Sequence, residues 1–257
     1  MSYLGHIVSE KGVECDPSNI KVVQEWPEPT NVHEVRSFLG TANYYRRFVK
    51  GFAKLAGPLT RLTRKHTPFN WTDSCRAAFR KLRECLTSPP ILAYPLQEET
   101  YILDTDASNF AIGAVLSQRQ NGVEKVIAYS SNGLSNTRQR YCVTHKELYA
   151  VVTAVKKFKR YLLGRRFIVR TDHAALKWLM QFKDPEGMVA RWISFLSTFE
   201  FDIEHRPEIS MEMQMGCRAN RPARANAPIV KIVARAKILI LSYLPLLTSV
   251  LLRWKRK

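Results

Sequence analysis

The spacing of apolar side chains changes character near Thr100: upstream it is mainly helical behind one hairpin, and downstream it gives strands first and helices after. Residues 3–9 read as a strand, and Glu10-Lys11-Gly12 as a turn before Val13-Glu14-Cys15. Asp16-Pro17-Ser18 predicts a helix start, with Asp16 as cap and Pro17 in the first turn, where the missing proline N–H costs nothing. That helix is expected to stop at Trp26, before Pro27. A second begins after Thr30, with Val32, Val35, Phe38 and Leu39 at helical spacing, and the aromatic and basic run Ala42–Phe52 predicts a third, short one. Thr72-Asp73 is expected to cap a further helix, whose apolar face is Ala77, Phe79, Leu82 and Leu86 and which Pro89-Pro90 ends. Ile91 to Tyr94 then runs extended.

Tyr101–Asp106, Ala111–Gln118 and Lys125–Ser130 have the pattern of three short strands, with Asn121-Gly122 marking a hairpin turn between the second and third. A long amphipathic helix is predicted from about Thr144 to Leu163, carrying Leu148, Val151, Val152, Val155, Phe158 and Leu162 on one face. Phe167–Thr171 is a fourth strand, Ala174–Met180 and Val189–Phe199 are helices, and Phe201–His205 is a fifth strand. Three strands, a helix, a strand, a helix pair and a strand make an α+β fold: a mixed five-stranded sheet with helical cover, behind a small helical unit. After Pro207 the pattern lapses, and from Arg218 to Lys257 there is no Asp or Glu at all. Residues 238–252 are almost wholly apolar, but a fifteen-residue helix spans only about 22 Å of a ~30 Å hydrocarbon core, and Pro245 sits in its middle. A membrane anchor is therefore disfavoured, and a poorly structured C-terminal tail is expected.

Composition adds one strong signal. The chain has 257 residues and an ordinary apolar fraction of 46%, but 40 Lys and Arg stand against 22 Asp and Glu, a formal charge of +18. Such an excess favours a polyanionic partner, because each neutralised phosphate releases condensed counterions. The five cysteines are scattered without a C-x-x-C pair, which implies neither a disulfide framework nor a zinc site. The opening residues lack a basic region followed by an apolar run, so an intracellular location, cytoplasm or nucleus, is expected rather than secretion.

Three carboxylates sit where acidic residues are unusual: Asp106 at the end of the first strand, Glu147 in the first turn of the long helix, and Asp172 at the end of the fourth strand. Each alone has a structural explanation, as a turn former, a partner of the helix dipole or an N-cap. Strand ends and a helix start can also converge at one edge of a mixed sheet, where three carboxylates would repel one another without cations. Hard oxygen ligands of this kind suit Mg2+ or Mn2+. Two such ions roughly 4 Å apart would clamp an in-line attack of water on a phosphodiester. Asp104, two residues before Asp106 and on the same side of the strand, is the rival.

T-D-A-S-N-F-A-I-G-A-V-L-S-Q, then A-Y-S-S, then T-H-K-E-L-Y-A-V-V-T-A-V-K-K-F-K-R-Y-L-L-G, then T-D-H-A-A-L-K-W-L resemble the RNase H domain of gypsy-type LTR retrotransposon Pol. Y-L-G-H-I-V-S-E-K-G-V and W-P-E-P-T-N-V-H-E-V-R-S-F-L-G-T-A-N-Y-Y-R-R-F-V-K-G-F-A resemble the end of that family's reverse transcriptase palm and its thumb, and F-N-W-T-D-S-C-R-A-A-F-R-K-L-R-E-C-L-T-S-P-P-I-L its connecting segment. The resemblance runs from about residue 3 to 207. It implies an organisation of 1–65 as palm end and thumb, 66–98 as connection, 99–207 as an RNase H-like domain, and 208–257 as a degenerate tail. It places Asp106, Glu147 and Asp172 at three of the family's four metal-binding positions. The fourth follows an H-x-P-G turn; here His205-Arg206-Pro207 begins that turn, Glu208 replaces the glycine, and no Asp follows. Glu212 is the nearest substitute, one turn early. The family's Y-x-D-D polymerase loop would lie before residue 1, so polymerisation is not expected of this chain.

The implied activity is endonucleolytic hydrolysis of the RNA strand of an RNA–DNA hybrid, with two Mg2+ or Mn2+ ions, and the implied partners are nucleic acid and the remaining Pol domains. Lys156, Lys157, Lys159, Arg160, Arg165 and Arg166 crowd the end of the long helix as candidate phosphate contacts, with a solvated helix face as the plain alternative. Tyr45, Arg46, Arg47 and Lys50, beside Tyr44, combine aromatic and basic groups suited to a duplex backbone, although Tyr44 and Phe48 also suit a core. The missing fourth carboxylate keeps a second function open: a nucleic-acid-binding remnant that cuts poorly or not at all.

Overall fold

The computed structural model of the chain describes residues 1–173, 176 and 185–206. Most of the expected helix Ala174–Met180 lies outside the described residues, as do Glu212, the apolar run 238–252 and the rest of the tail. The stretch expected to be one strand folds back on itself: β1 (Ser2–Tyr3) and β2 (His6–Ser9) pair antiparallel around Leu4 and Gly5, both at positive φ, and β3 (Gly12–Cys15) pairs with β2. The Met1 amino group donates to Val8 O at 3.0 Å and closes the ribbon. Asp16 caps α1 (Pro17–Gln24) by accepting from Ser18 N at 3.0 Å, and the helix ends two residues before Trp26. Asn31 caps α2 (Val32–Tyr44) through Glu34 N, while Glu34 returns a carboxylate oxygen to Thr30 N at 2.7 Å, a reciprocal cap.

The aromatic and basic run is not one helix. Residues 42–44 end α2, Arg46–Phe48 form a 3₁₀ turn, and Gly51 at φ 65° leads into α3 (Phe52–Leu55), which α4 (Gly57–Leu62) follows. In α5 (Asp73–Thr87) the buried face is Cys75, Ala78, Phe79, Leu82 and Leu86, while Ala77 is exposed. Ala78, not Ala77, continues the three- and four-residue spacing to Cys75, Leu82 and Leu86. Phe38 and Phe79, ring centroids 4.6 Å apart, centre this first core.

The second core forms under a five-stranded mixed sheet, as expected. Its strands are β4 (Tyr101–Ala107), β5 (Ala111–Gln120), β6 (Val123–Gly133), β7 (Phe167–Thr171) and β8 (Phe201–His205), in the order β6-β5-β4-β7-β8. The β4–β5 and β5–β6 pairs are antiparallel; β4–β7 and β7–β8 are parallel. Asn121 and Gly122 form the hairpin turn at positive φ, as their chemistry predicts. After the short α6 (Asn136–Gln139), α7 (Val143–Lys157) lays Leu148, Val151, Val152 and Val155 against Leu103, Leu116 and Val169. The long helix opens at Phe158 and resumes as α8 (Lys159–Leu162), where the chain reverses to feed β7; Phe158 and Leu162 both stay buried. The last helix among the described residues, α9 (Gly187–Leu196), packs on α7.

Buried amide side chains staple the incoming segment to the sheet. Gln118 donates to Leu96 O and Glu99 O and accepts from Leu96 N, and Gln120 donates to Tyr94 O at 2.6 Å. The two cores meet at β6, where Val126 and Tyr129 pack against the helical unit. There the Arg46 guanidinium donates to Ser131 O and to Asn132 Oδ1, and Ala53 N donates to Ser131 Oγ at 3.0 Å. An edge strand that would otherwise offer open pairing groups is covered.

The hairpin is joined to the segment before β4 by the bridge of Val13 with Leu92, two backbone hydrogen bonds of 2.8 and 3.0 Å. It requires Gly12: a Cβ there would stand 2.3 Å from Leu92 O, at φ 138°. Gly12→Ala is expected to cost roughly 2–4 kcal/mol, from strain and the lost bridge, read by urea denaturation. An unchanged midpoint would mean that the bridge contributes nothing.

Candidate active site at the carboxylate edge of the sheet

Parallel pairing sets the site. Asp104 lies opposite Arg170 in the β4–β7 register, so Asp106 and Asp172, each two residues further on, emerge at the same edge of the sheet. Glu147 faces this edge from α7. The helix begins at Val143, so Glu147 lies in its second turn rather than its first, where the helix dipole has little hold on it. Its side chain is buried, with the residue only 3% exposed.

The three carboxylates act on one another. Burial, then the charges of Asp172 and Asp106, push the Glu147 carboxyl up to about 8, against an opposing hydrogen bond from the Ala107 backbone N–H. Burial and the Asp172 charge also raise Asp106, while Lys54, Lys50 and the Ala107 N–H oppose the rise. Glu147 Oε2 and Asp172 Oδ1 are buried without a hydrogen-bond partner. Buried polar atoms are rarely left so, since each forfeits its hydration without return. Among the described residues, no group of three His, Cys, Asp or Glu side chains forms a ready-made metal cage. The position of the fourth carboxylate falls after Pro207, outside the described residues.

Neighbouring bonds hold the edge in place. His205 Nε2 lies 2.8 Å from Asp172 O, and Thr144 Oγ1 lies 3.0 Å from His173 Nε2. The β4–β5 turn is pinned by Ser108 Oγ, which donates to Ala111 O at 2.8 Å and accepts from Ala111 N at 3.0 Å. Lys146, only 7% exposed, donates from Nζ to Asn109 Oδ1 at 2.9 Å. Asp104, the rival carboxylate, is engaged elsewhere: Arg170 holds it at 2.6 Å and Arg206 at 3.5 Å. Arg170 also pairs with Glu124, closing an ion network away from the three carboxylates.

The basic candidates divide. Tyr45 is buried with its hydroxyl on Gly5 O, Arg46 is committed to Ser131 and Asn132, and Arg47 lies by Phe48 with its charge acting on His6 and Cys15. Lys50 is exposed near Asp106. Lys156, Lys157, Lys159, Arg160, Arg165 and Arg166 gather at the far end of α7, beside the start of β7 and opposite the carboxylate edge. There Lys156 lies 5.1 Å over the Phe195 ring, Arg165 donates to Gln97 O, and Arg166 grips Asp202 through two bonds of 2.9 and 3.0 Å. Lys157, Lys159 and Arg160 are exposed. Two lysines escaped the sequence reading. Neither Lys146, adjacent to Glu147, nor Lys54 carried a local signal of its placement.

Residues 97–199 match the RNase H-like domain found in reverse transcriptase. The chain is 40% identical over 206 residues to the Pol polyprotein of transposon 297, and 36% identical over 220 residues to that of transposon gypsy, both of Drosophila melanogaster. These alignments cover 79% and 80% of the chain but only 19% and 21% of the relatives, so the chain spans about a fifth of their length. A foamy viral protease-reverse transcriptase solved in complex with an RNA/DNA hybrid superposes with a TM-score of 0.68 at 20% identity, over 89% of this chain and 32% of that one. The chain thus carries a reverse-transcriptase RNase H-like domain. It belongs with the Pol polyproteins of gypsy-type retrotransposons.

Glu147 sets a pH dependence. In the absence of divalent ions the folded chain keeps this proton to about pH 8, whereas an unfolded glutamate loses it near 4.5. Between those values the folded state binds more protons, so the stability contributed below pH 4.5 is lost as pH rises through 8. In EDTA, wild type is expected to lose roughly 1–3 kcal/mol more than Glu147→Gln between pH 5 and 9, read by urea denaturation. Parallel pH profiles would show that Glu147 is not held protonated.

Proposed function

We propose that this chain hydrolyses the RNA strand of an RNA–DNA hybrid, at the sheet edge where Asp106, Glu147 and Asp172 hold two Mg2+ or Mn2+ ions. The observation that carries this reading is the pair of buried, unpartnered oxygens, Glu147 Oε2 and Asp172 Oδ1, in a group of three carboxylates. Oxygen donors that lack hydrogen-bond partners and repel one another fit a hard divalent cation. When bound, such ions activate the attacking water and stabilise the leaving oxygen.

The chain's own residues prepare the edge for this work. Glu147 surrenders the proton that burial and its neighbours keep on it, which ties metal binding to pH. His205 fixes the Asp172 backbone, and the Ser108 and Lys146 bonds hold the turn that follows Asp106. The basic surface of a chain carrying +18 attracts the phosphates. A hybrid duplex is read by its shape and by 2′-hydroxyls across a wide minor groove, which requires no base-specific pocket. The Pol polyprotein relatives and the hybrid-bound foamy viral reverse transcriptase support this substrate class. In an intact element the remaining Pol domains would be covalent partners.

A second reading rests on the sequence after His205-Arg206-Pro207, which contains no Asp through Lys257. On that reading the domain binds hybrid but cuts poorly. The deciding assay incubates the full chain with an RNA–DNA hybrid labelled on the RNA, in Mg2+ or Mn2+, beside Asp106→Asn. Cleavage reduced at least ~100-fold in Asp106→Asn, with hybrid binding kept, is the expected result. Equal product from both would end the nuclease reading. Product from neither, with binding intact, would establish the impaired remnant.

A further inference from the structure

The carboxylate edge is not made by the sheet alone. Asp106 pairs with Gly113 on β5, and Gly113 pairs with Ser131 on β6, so the three lie in register across adjacent strands. Residues paired in this way project to the same face, and two strand spacings put Ser131 about 10 Å from Asp106. Ser131 Oγ is the acceptor for Ala53 N at the start of α3, and Ser131 O accepts from Arg46. The helical unit is therefore seated on the face toward which Asp106 points. The residue between them is a glycine, and a Cβ at Gly113 would meet nothing within 4 Å. The space between the docked unit and Asp106 is left open.

Two lysines flank that space. Lys50 lies in the turn between the Arg46 and Ala53 anchors, and Lys54 directly follows Ala53; both are exposed. A lysine side chain of about 6 Å reaches well into a gap of two strand spacings. We propose that Lys50 and Lys54 form a phosphate seat beside Asp106, so that the helical unit completes the nuclease edge by gripping the backbone of the strand brought to it. The charges of both lysines act on the Asp106 carboxyl, as this placement requires. A seat of this kind offsets the repulsion between three carboxylates and an incoming polyanion, and it fixes where along the strand the edge falls. The inference rests on the nucleic-acid reading above, but not on hydrolysis.

Fluorescence anisotropy of a labelled RNA–DNA hybrid, with the full chain in 50 to 200 mM KCl, tests it. Lys50→Gln, Lys54→Gln together are expected to weaken binding roughly tenfold at low salt and to reduce the slope of log affinity against log salt by about two. Lys50→Arg, Lys54→Arg should keep the wild-type slope. Lys21→Gln, Lys81→Gln, which remove the same charge from α1 and α5, should also keep it. A slope for the Lys50/Lys54 glutamine variant equal to that of the Lys21/Lys81 control would overturn the proposal, as would a wild type that binds no hybrid at low salt. Wild type that binds with the expected slope but never cuts would end the hydrolytic reading and leave the seat standing.

Discussion

Parallel pairing of β4 with β7 at the middle of the sheet is the constraint on which the site depends. Two aspartates 66 residues apart are carried to one edge because Asp104 lies opposite Arg170, and α7 returns Glu147 to the same place. Like charges brought together under partial burial raise the free energy of the ionised state. The chain meets this cost by keeping Glu147 protonated and by placing lysines near Asp106. Strand order, helix packing and the His205 bond all serve to hold groups that would separate if free.

The same economy governs the junction of the two units. β6 is an edge strand, and Ser131 and Asn132 near its end are engaged by Arg46 and Ala53. Gln118 and Gln120 bind the incoming segment from inside the sheet, and the Val13–Leu92 bridge binds it from the hairpin. Three separate sets of hydrogen bonds thus orient the helical unit over the face that carries Asp106. The exposed Lys50 and Lys54 lie in the part of that unit anchored to Ser131.

Much of this was legible in the sequence, for identifiable reasons. β7 and β8 appear with the expected boundaries because β7 is a short apolar run set between arginines and β8 alternates apolar with charged residues after a helix end. The β5–β6 hairpin follows from Asn121-Gly122. The turn at Leu4-Gly5 was missed: Gly5 was its one local signal, and leucine seldom adopts positive φ. Asp106, Glu147 and Asp172 were separable from ordinary caps only as a set, and Asp104 was set aside only when Arg170 and Arg206 were seen beside it. Basic residues were the least legible. A sequence records the charge of Arg46, Arg165 or Arg166 but not that Ser131, Gln97 or Asp202 already engages it. Lys54 required the register of three strands to find.

If the three carboxylates form one coupled group that a divalent cation discharges, metal binding must release a proton. Calorimetric titration of Mn2+ into the full chain at pH 7, in two buffers of different ionisation enthalpy, measures binding and proton release together. With Glu147 at about 8, saturable binding should release close to one proton per chain, about what a carboxyl still protonated at that pH would give up. Absence of binding, or binding with no proton released, would contradict the account.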